Sequence, residues 1–99
     1  MARYTFGGLT FSWEEGKARQ NVRKHGVSFE EAATVFIDPL ARLYDDPDHS
    51  ESELRFLLVG YSLAGRMLLV VHVERGDTIR IISARRTSGR EQKEFEDDA

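Results

Sequence analysis

Apolar and polar residues alternate with a period of two over much of the second half of the chain. In Thr78–Arg86 this places Ile79, Ile81, Ser83 and Arg85 on one face of a predicted strand and Arg80, Ile82, Ala84 and Arg86 on the other. Arg66–Arg75 is apolar on both faces at Met67–Val71, the pattern of a central strand. Gly76-Asp77 between these segments predicts a two-residue type II′ hairpin. Leu54–Tyr61 is a further strand, with Arg55, Leu57, Val59 and Tyr61 on one face, and Ser62-Leu63-Ala64-Gly65 turns the chain after it. Leu9–Trp13 and Leu40–Tyr44 are short strands. Met1–Gly8 is expected to be loosely held, with a turn at Gly7-Gly8.

Three segments follow a helical period instead. The first runs from about Glu14 to His25, with Ser12 and Glu15 at capping-box spacing and Ala18 and Val22 as its inward pair. Arg23, Lys24 and His25 suit the negative end of its dipole, and Gly26 stops it. The second opens on a Ser28/Glu31 capping box, carries Phe29, Ala32, Ala33 and Phe36 as an apolar stripe, and ends at Asp38-Pro39. The third, Gly89–Asp97, opens on Ser88 and Glu91, and Phe95 is its one large apolar residue. Tightly turned strands with few helices imply one α+β domain: a mostly antiparallel sheet with helices packed on one face.

Composition narrows the classes. Ninety-nine residues without cysteine support one modest core, no disulfide framework and no thiolate metal site, which fits a reducing cytoplasm. Apolar runs are too short to span a bilayer, so no membrane association is expected. The net charge of −3 argues against a general nucleic-acid coat. Its distribution matters more: Arg80–Arg90 holds four arginines and no acid, whereas Asp45–Glu53 holds five acids and no base. The acidic loop Asp45–Ser50 includes His49, but its spacing fits neither an EF-hand nor a zinc motif, and a solvated loop is expected.

A strand that leaves an apolar sheet and ends in paired guanidinium groups suits phosphate recognition, although solvated charges at a strand end account for the same pattern. Further motifs decide how to read it. Phe11-Ser-Trp13-Glu-Glu-Gly-Lys17, Asn21-Val-Arg-Lys24-His25-Gly26-Val27-Ser-Phe29-Glu-Glu31-Ala32, Glu53-Leu-Arg55-Phe-Leu-Leu-Val-Gly60 and Ile79-Arg80-Ile-Ile-Ser83-Ala84-Arg85-Arg86 occur in order. Together they resemble the BrnT family, toxins of bacterial type II toxin–antitoxin pairs. Glu14 departs from the family's more usual aspartate. The resemblance implies a RelE-like fold, a ribonuclease that arrests translation, and capture by a BrnA antitoxin. Such antitoxins carry a ribbon-helix-helix domain, so operator DNA is reached only through the partner.

Metal-free RNA cleavage needs a base for the 2′-OH, an acid for the departing 5′-oxygen and cations for the phosphorane. No cofactor or metal is expected. Arg80 and Arg85 are assigned the cationic role with Arg55 as a third donor, because the guanidinium fork matches phosphate oxygens and stays charged. His72 is the acid/base candidate; its alternative is a half-buried ring satisfied by a backbone carbonyl. Lys24 and Arg86 are candidate RNA-phosphate contacts, Lys24 alternatively a helix-end cation. Glu31 and Glu53 are possible bases, unless the first is used by its capping box and the second positions an arginine. Strict alternation puts Arg80 and Arg85 on opposite faces, so joint action requires a bulge. A non-catalytic partner-binding module and a ribosome-dependent nuclease remain open readings.

Overall fold

The computed structural model describes residues 1–47 and 53–98. In chain order the elements are β1 (Ala2–Phe6), β2 (Leu9–Trp13), α1 (Glu15–His25) and α2 (Phe29–Thr34), which runs on into a 3-10 turn at Val35–Ile37. Then come β3 (Arg42–Asp45), β4 (Phe56–Tyr61), β5 (Met67–Arg75), β6 (Thr78–Arg86) and α3 (Gly89–Asp97). The strands form one sheet in the order β1-β2-β6-β5-β4-β3. Each neighbouring pair is antiparallel except β2 and β6, which run parallel. The expected α+β class with a mostly antiparallel sheet is the observed one.

The first eight residues depart from expectation. Ala2, Tyr4 and Phe6 alternate inward along β1, pair with β2 and pack on the core, so this segment is a held edge strand. Tyr4 lies 5.6 Å from the Trp13 ring, and the alternation of Ala2, Tyr4 and Phe6 ahead of Gly7-Gly8 is the sequence signal of this hairpin. Gly7 and Gly8 make the turn as expected, both with positive φ, which a type I′ hairpin requires.

Helix α1 also turns differently. Val22 is 47% exposed, while Asn21 is buried. Asn21 Nδ2 donates to the Ala84 carbonyl (2.7 Å) and the Val27 carbonyl (2.9 Å), and the Ala84 N–H donates to Asn21 Oδ1 (3.1 Å). The reason lies in the sheet: β2 pairs with β6 only as far as Arg80, and the Asn21 amide takes the place of a strand neighbour at Ala84. The helix start is plain, since Glu14 makes no side-chain cap and Ser12 belongs to β2. In α2, Ser28 caps the Glu31 N–H as expected. The Glu31 carboxylate does not return to Ser28; it accepts from Arg66 and from Ser62 Oγ (2.7 Å), and Arg66 also donates to the Gly26 carbonyl.

Phe11, Phe29, Val35, Leu68, Val70 and Ile81 form a core between the sheet and the α1–α2 layer. Burying one such Phe contributes about 1.5–3 kcal/mol. Helix α3, predicted with its exact bounds and capping box, covers the other face: Phe95 packs on Val59, Met67 and Leu69. Only α1 and α2 thus share a layer. Strands β3 and β4 begin later than predicted, leaving Arg55 just ahead of β4. Of the acidic loop, Asp45 ends β3 and Asp46 is buried, whereas residues 48–50, His49 among them, lie outside the described residues. Among the described residues no helix is long and apolar enough to cross a membrane.

Gly60 carries a close approach. A Cβ there would sit 2.8 Å from both Ala41 Cβ and Asp38 Oδ2, and Asp38 is already fixed by the N–H groups of Leu40 and Tyr61. Gly60→Ala is therefore expected to cost about 2 kcal/mol by overpacking. A urea midpoint equal to that of the wild type would show that the Asp38 loop yields freely.

Candidate functional site

The decisive feature is a register shift. Between β5 and β6, Val73 faces Arg80 and His72 faces Ile81, but Val71 faces Ser83, so Ile82 is an extra residue on β6. Beyond this bulge Val70 faces Ala84, Leu69 faces Arg85 and Leu68 faces Arg86. Directly paired residues project to the same side. Val73, Val71 and Leu69 share one face of β5, so Arg80, Ser83 and Arg85 share one face of β6. The bulge that joint action requires is present. It equally separates Arg86, which joins Ile81 and Ala84 on the α1–α2 side, where its charge helps hold Glu31 ionised.

At one end of the arginine face, Glu53 accepts hydrogen bonds from Arg75. Those bonds hold its carboxyl below the ordinary carboxylate range, and the charges of Arg55 and Arg80 add to the effect. Glu53 is thus an anion at neutral pH within a field of three arginines. Arg55 Nε is buried and has no hydrogen-bond partner among the described residues, an orphaned donor that costs stability unless an anion meets it. Glu53 thus holds an arginine in place, but that arginine is Arg75, at the Gly76-Asp77 hairpin, which no local motif singles out.

At the other end, Arg85 makes two parallel bonds of 2.9 Å to the Glu91 carboxylate of α3. Glu91 also accepts from the Ser88 N–H at 2.8 Å, so one carboxylate closes both the capping box and the fork. Arg42 lies over the Phe95 ring and 3.8 Å from Asp98, a second tether on α3. Chiefly through Arg85, the Glu91 carboxyl falls from 4.5 to about 2. Its folded value is depressed, so the linked stabilisation is full above the ordinary pKa and is lost as pH falls from about 4.5 through about 2. We expect the amide signals of α3 to move toward coil values across that window, and Glu91→Gln to abolish this step. A helix whose signals hold at pH 2 would show that Phe95 alone seats it.

Three of the candidate side chains lie elsewhere. His72 is 1% exposed on the core face, its ring between Phe36 (4.8 Å) and Phe56 (5.9 Å), with Nδ1 3.4 Å from the Val70 carbonyl. Burial lowers its pKa, so the neutral ring is favoured. It therefore fits the alternative of a carbonyl-satisfied histidine rather than an acid/base facing the arginines; the parity of β5 decides this, and only the pairing reveals it. Lys24 lines a cleft beside β6 with His25. Glu31 is engaged by Arg66, which strengthens its acidity and leaves it a structural ion pair. Among the described residues, no group of three His, Asp or Glu side chains gathers into a set able to hold a metal ion.

The face thus presents a cluster of guanidinium groups beside an ionised carboxylate at one end and a helix-covered arginine at the other. A family model described as the ribonuclease toxin BrnT of type II toxin–antitoxin systems matches residues 13–91. No curated protein matches the sequence. In fold, the chain is similar to the ribonuclease toxin BrnT of Brucella abortus, solved at 1.1 Å, with a TM-score of 0.61 and 21% identity over 79% of this chain and 95% of that one. The match spans α1 through the start of α3 and includes every arginine of the face, and on it the chain belongs to the BrnT family of ribonuclease toxins of type II toxin–antitoxin systems.

Proposed function

We propose that this chain is a cytoplasmic endoribonuclease that cuts RNA without a metal ion at the Arg55–Arg80 end of the sheet, thereby inhibiting translation. The observation that carries the reading is the Ile82 bulge, which aligns Arg80, Ser83 and Arg85 on one face, with Arg55 and its orphaned Nε near by. Arg55 and Arg80 take the non-bridging oxygens of the scissile phosphate and stabilise the charge that grows in the phosphorane. Arg85, at the far end of the face, takes a neighbouring phosphate of the same RNA when α3 releases it. The 2′-oxygen forms a bond to phosphorus and the P–O5′ bond breaks, which leaves a 2′,3′-cyclic phosphate and a 5′-hydroxyl. Glu53, already ionised, accepts the 2′-OH proton, and water protonates the departing oxygen. His72 and Arg86 take no part in this scheme, being on the other face.

The partner in this reading is a BrnA-type ribbon-helix-helix antitoxin, which silences the toxin and brings the pair to operator DNA for repression of its own operon. The resemblance of the spaced motifs supports it. The test is cleavage of end-labelled RNA by the isolated chain in EDTA, with and without equimolar antitoxin. Cutting that antitoxin suppresses is the expected result. A folded sample that cuts only when ribosomes are added would replace the free-nuclease reading with a ribosome-dependent one.

A further inference from the structure

A second basic site lies along the side of β6 that β2 leaves open. Pairing with β2 ends at Arg80, and the Asn21 amide takes over at Ala84. Between them, at the bulge, the edge of β6 opens into a cleft of about 320 Å³. Lys17, Gln20, Lys24 and His25 of α1 line one wall, Ile82 and Ser83 of β6 the other, with Asn21 at its base. The helix residues recur at i, i+3 and i+7, so two full turns present donors to the same opening. Among the described residues no carboxylate lines the cleft, and neither lysine is in an ion pair. Helix-end electrostatics account for Lys24 but not for Lys17, which sits in the first turn, where a cation meets the positive end of the dipole.

Ser83 connects the two sites. Its pairing with Val71 turns it to the arginine face between Arg80 and Arg85, and it also lines the cleft. It lies three positions along the strand from Arg80, about 10 Å. A polyanionic strand with one phosphate at Arg80 that crosses Ser83 therefore runs into the lysines. We propose that the cleft is a second phosphate-binding subsite, holding the sugar–phosphate backbone of the same RNA beyond the scissile position. The proposal rests on the ribonuclease reading for its ligand. An acidic peptide fits less well: docking segments bury apolar anchors, and the cleft offers only Ile82 among donors spaced for a repeating anion.

The test is binding of a short uncleavable 2′-O-methyl RNA by the full chain, followed by fluorescence anisotropy across a salt series. In Lys17→Ala/Lys24→Ala we expect affinity at moderate salt to fall about tenfold and the log–log salt slope to shrink by about 1.4, the loss of two single-strand phosphate contacts. Lys17→Glu alone is expected to weaken binding more than Lys17→Ala; both lysines are exposed, so folding is not at stake. Wild-type affinity and slope in the double variant would overturn the subsite, as would a wild-type chain that binds no RNA. Loss of antitoxin affinity with RNA binding unchanged would overturn it in favour of protein docking. Because this RNA cannot be cut, binding is read apart from chemistry: a slope change here, with no cleavage of ordinary RNA in the EDTA assay, upholds the subsite while sinking the catalytic reading.

Discussion

Arg80→Ala is expected to lower RNA cleavage by about two to three orders of magnitude, the usual cost of removing one preorganised donor from a developing oxyanion. Arg80 is the right arginine to remove. Arg85 spends its fork on Glu91 and Arg75 spends its own on Glu53, whereas Arg80 makes no hydrogen bond among the described residues that would leave a partner stranded. It is half-buried on β6, opposite Val73 and beside Ser12, so its loss should leave stability nearly unchanged. Arg80→Lys keeps the charge and loses the planar fork, and an intermediate deficit of about tenfold separates field from geometry. Initial rates on end-labelled RNA, with circular dichroism to establish folding, provide the check. A variant that retains most of the wild-type rate would move the scissile phosphate away from the Arg55–Arg80 end.

The largest expected effect on stability comes from a polar residue. Asn21→Ala removes three hydrogen bonds at once and leaves the Ala84 N–H, the Ala84 carbonyl and the Val27 carbonyl without them. Ala84 is 1% exposed and Val27 fully buried, so water reaches these groups poorly. Each orphaned buried group costs about 1–3 kcal/mol, and a total loss of about 3 kcal/mol or more is expected. For a domain of this size that is a large share of the whole stability. Asn21→Asp keeps the acceptor for the Ala84 N–H but sets a second carboxylate oxygen against two carbonyls, so it should not rescue the fold. Urea titration measures both; a loss below about 1 kcal/mol would mean that β6 finds another partner for its edge. Val22→Ala, one residue on, is the control, since Val22 faces solvent.

These two residues show what pattern conveys and what it hides. The apolar periods located β5 and β6, the Gly76-Asp77 hairpin between them and the Ser88-capped helix, because each is determined within a few residues. The choice of Val22 over Asn21 as the inward residue of α1 followed hydrophobicity and missed that a buried surface can be a strand edge, which needs an amide. The N-terminal strand is written locally, in the alternation of Ala2, Tyr4 and Phe6 before Gly7-Gly8, but its seat against Trp13 and the core exists only once the chain has folded. Family membership was legible from separated motifs in order, which no local rule supplies.

By itself, then, the sequence determined the kinds of element, most of their bounds and the concentration of arginine at the end of β6. It did not determine which arginines act together. Alternation counts residues, and one inserted at Ile82 reverses the parity of all that follow, so that Arg85 joins Arg80 and Arg86 leaves. The insertion is defined by pairing with β5, a relation between segments that carries no mark in either one. The same holds for His72, buried between two phenylalanines by the parity of β5, and for Arg85, whose carboxylate partner arrives only when α3 folds back across the sheet.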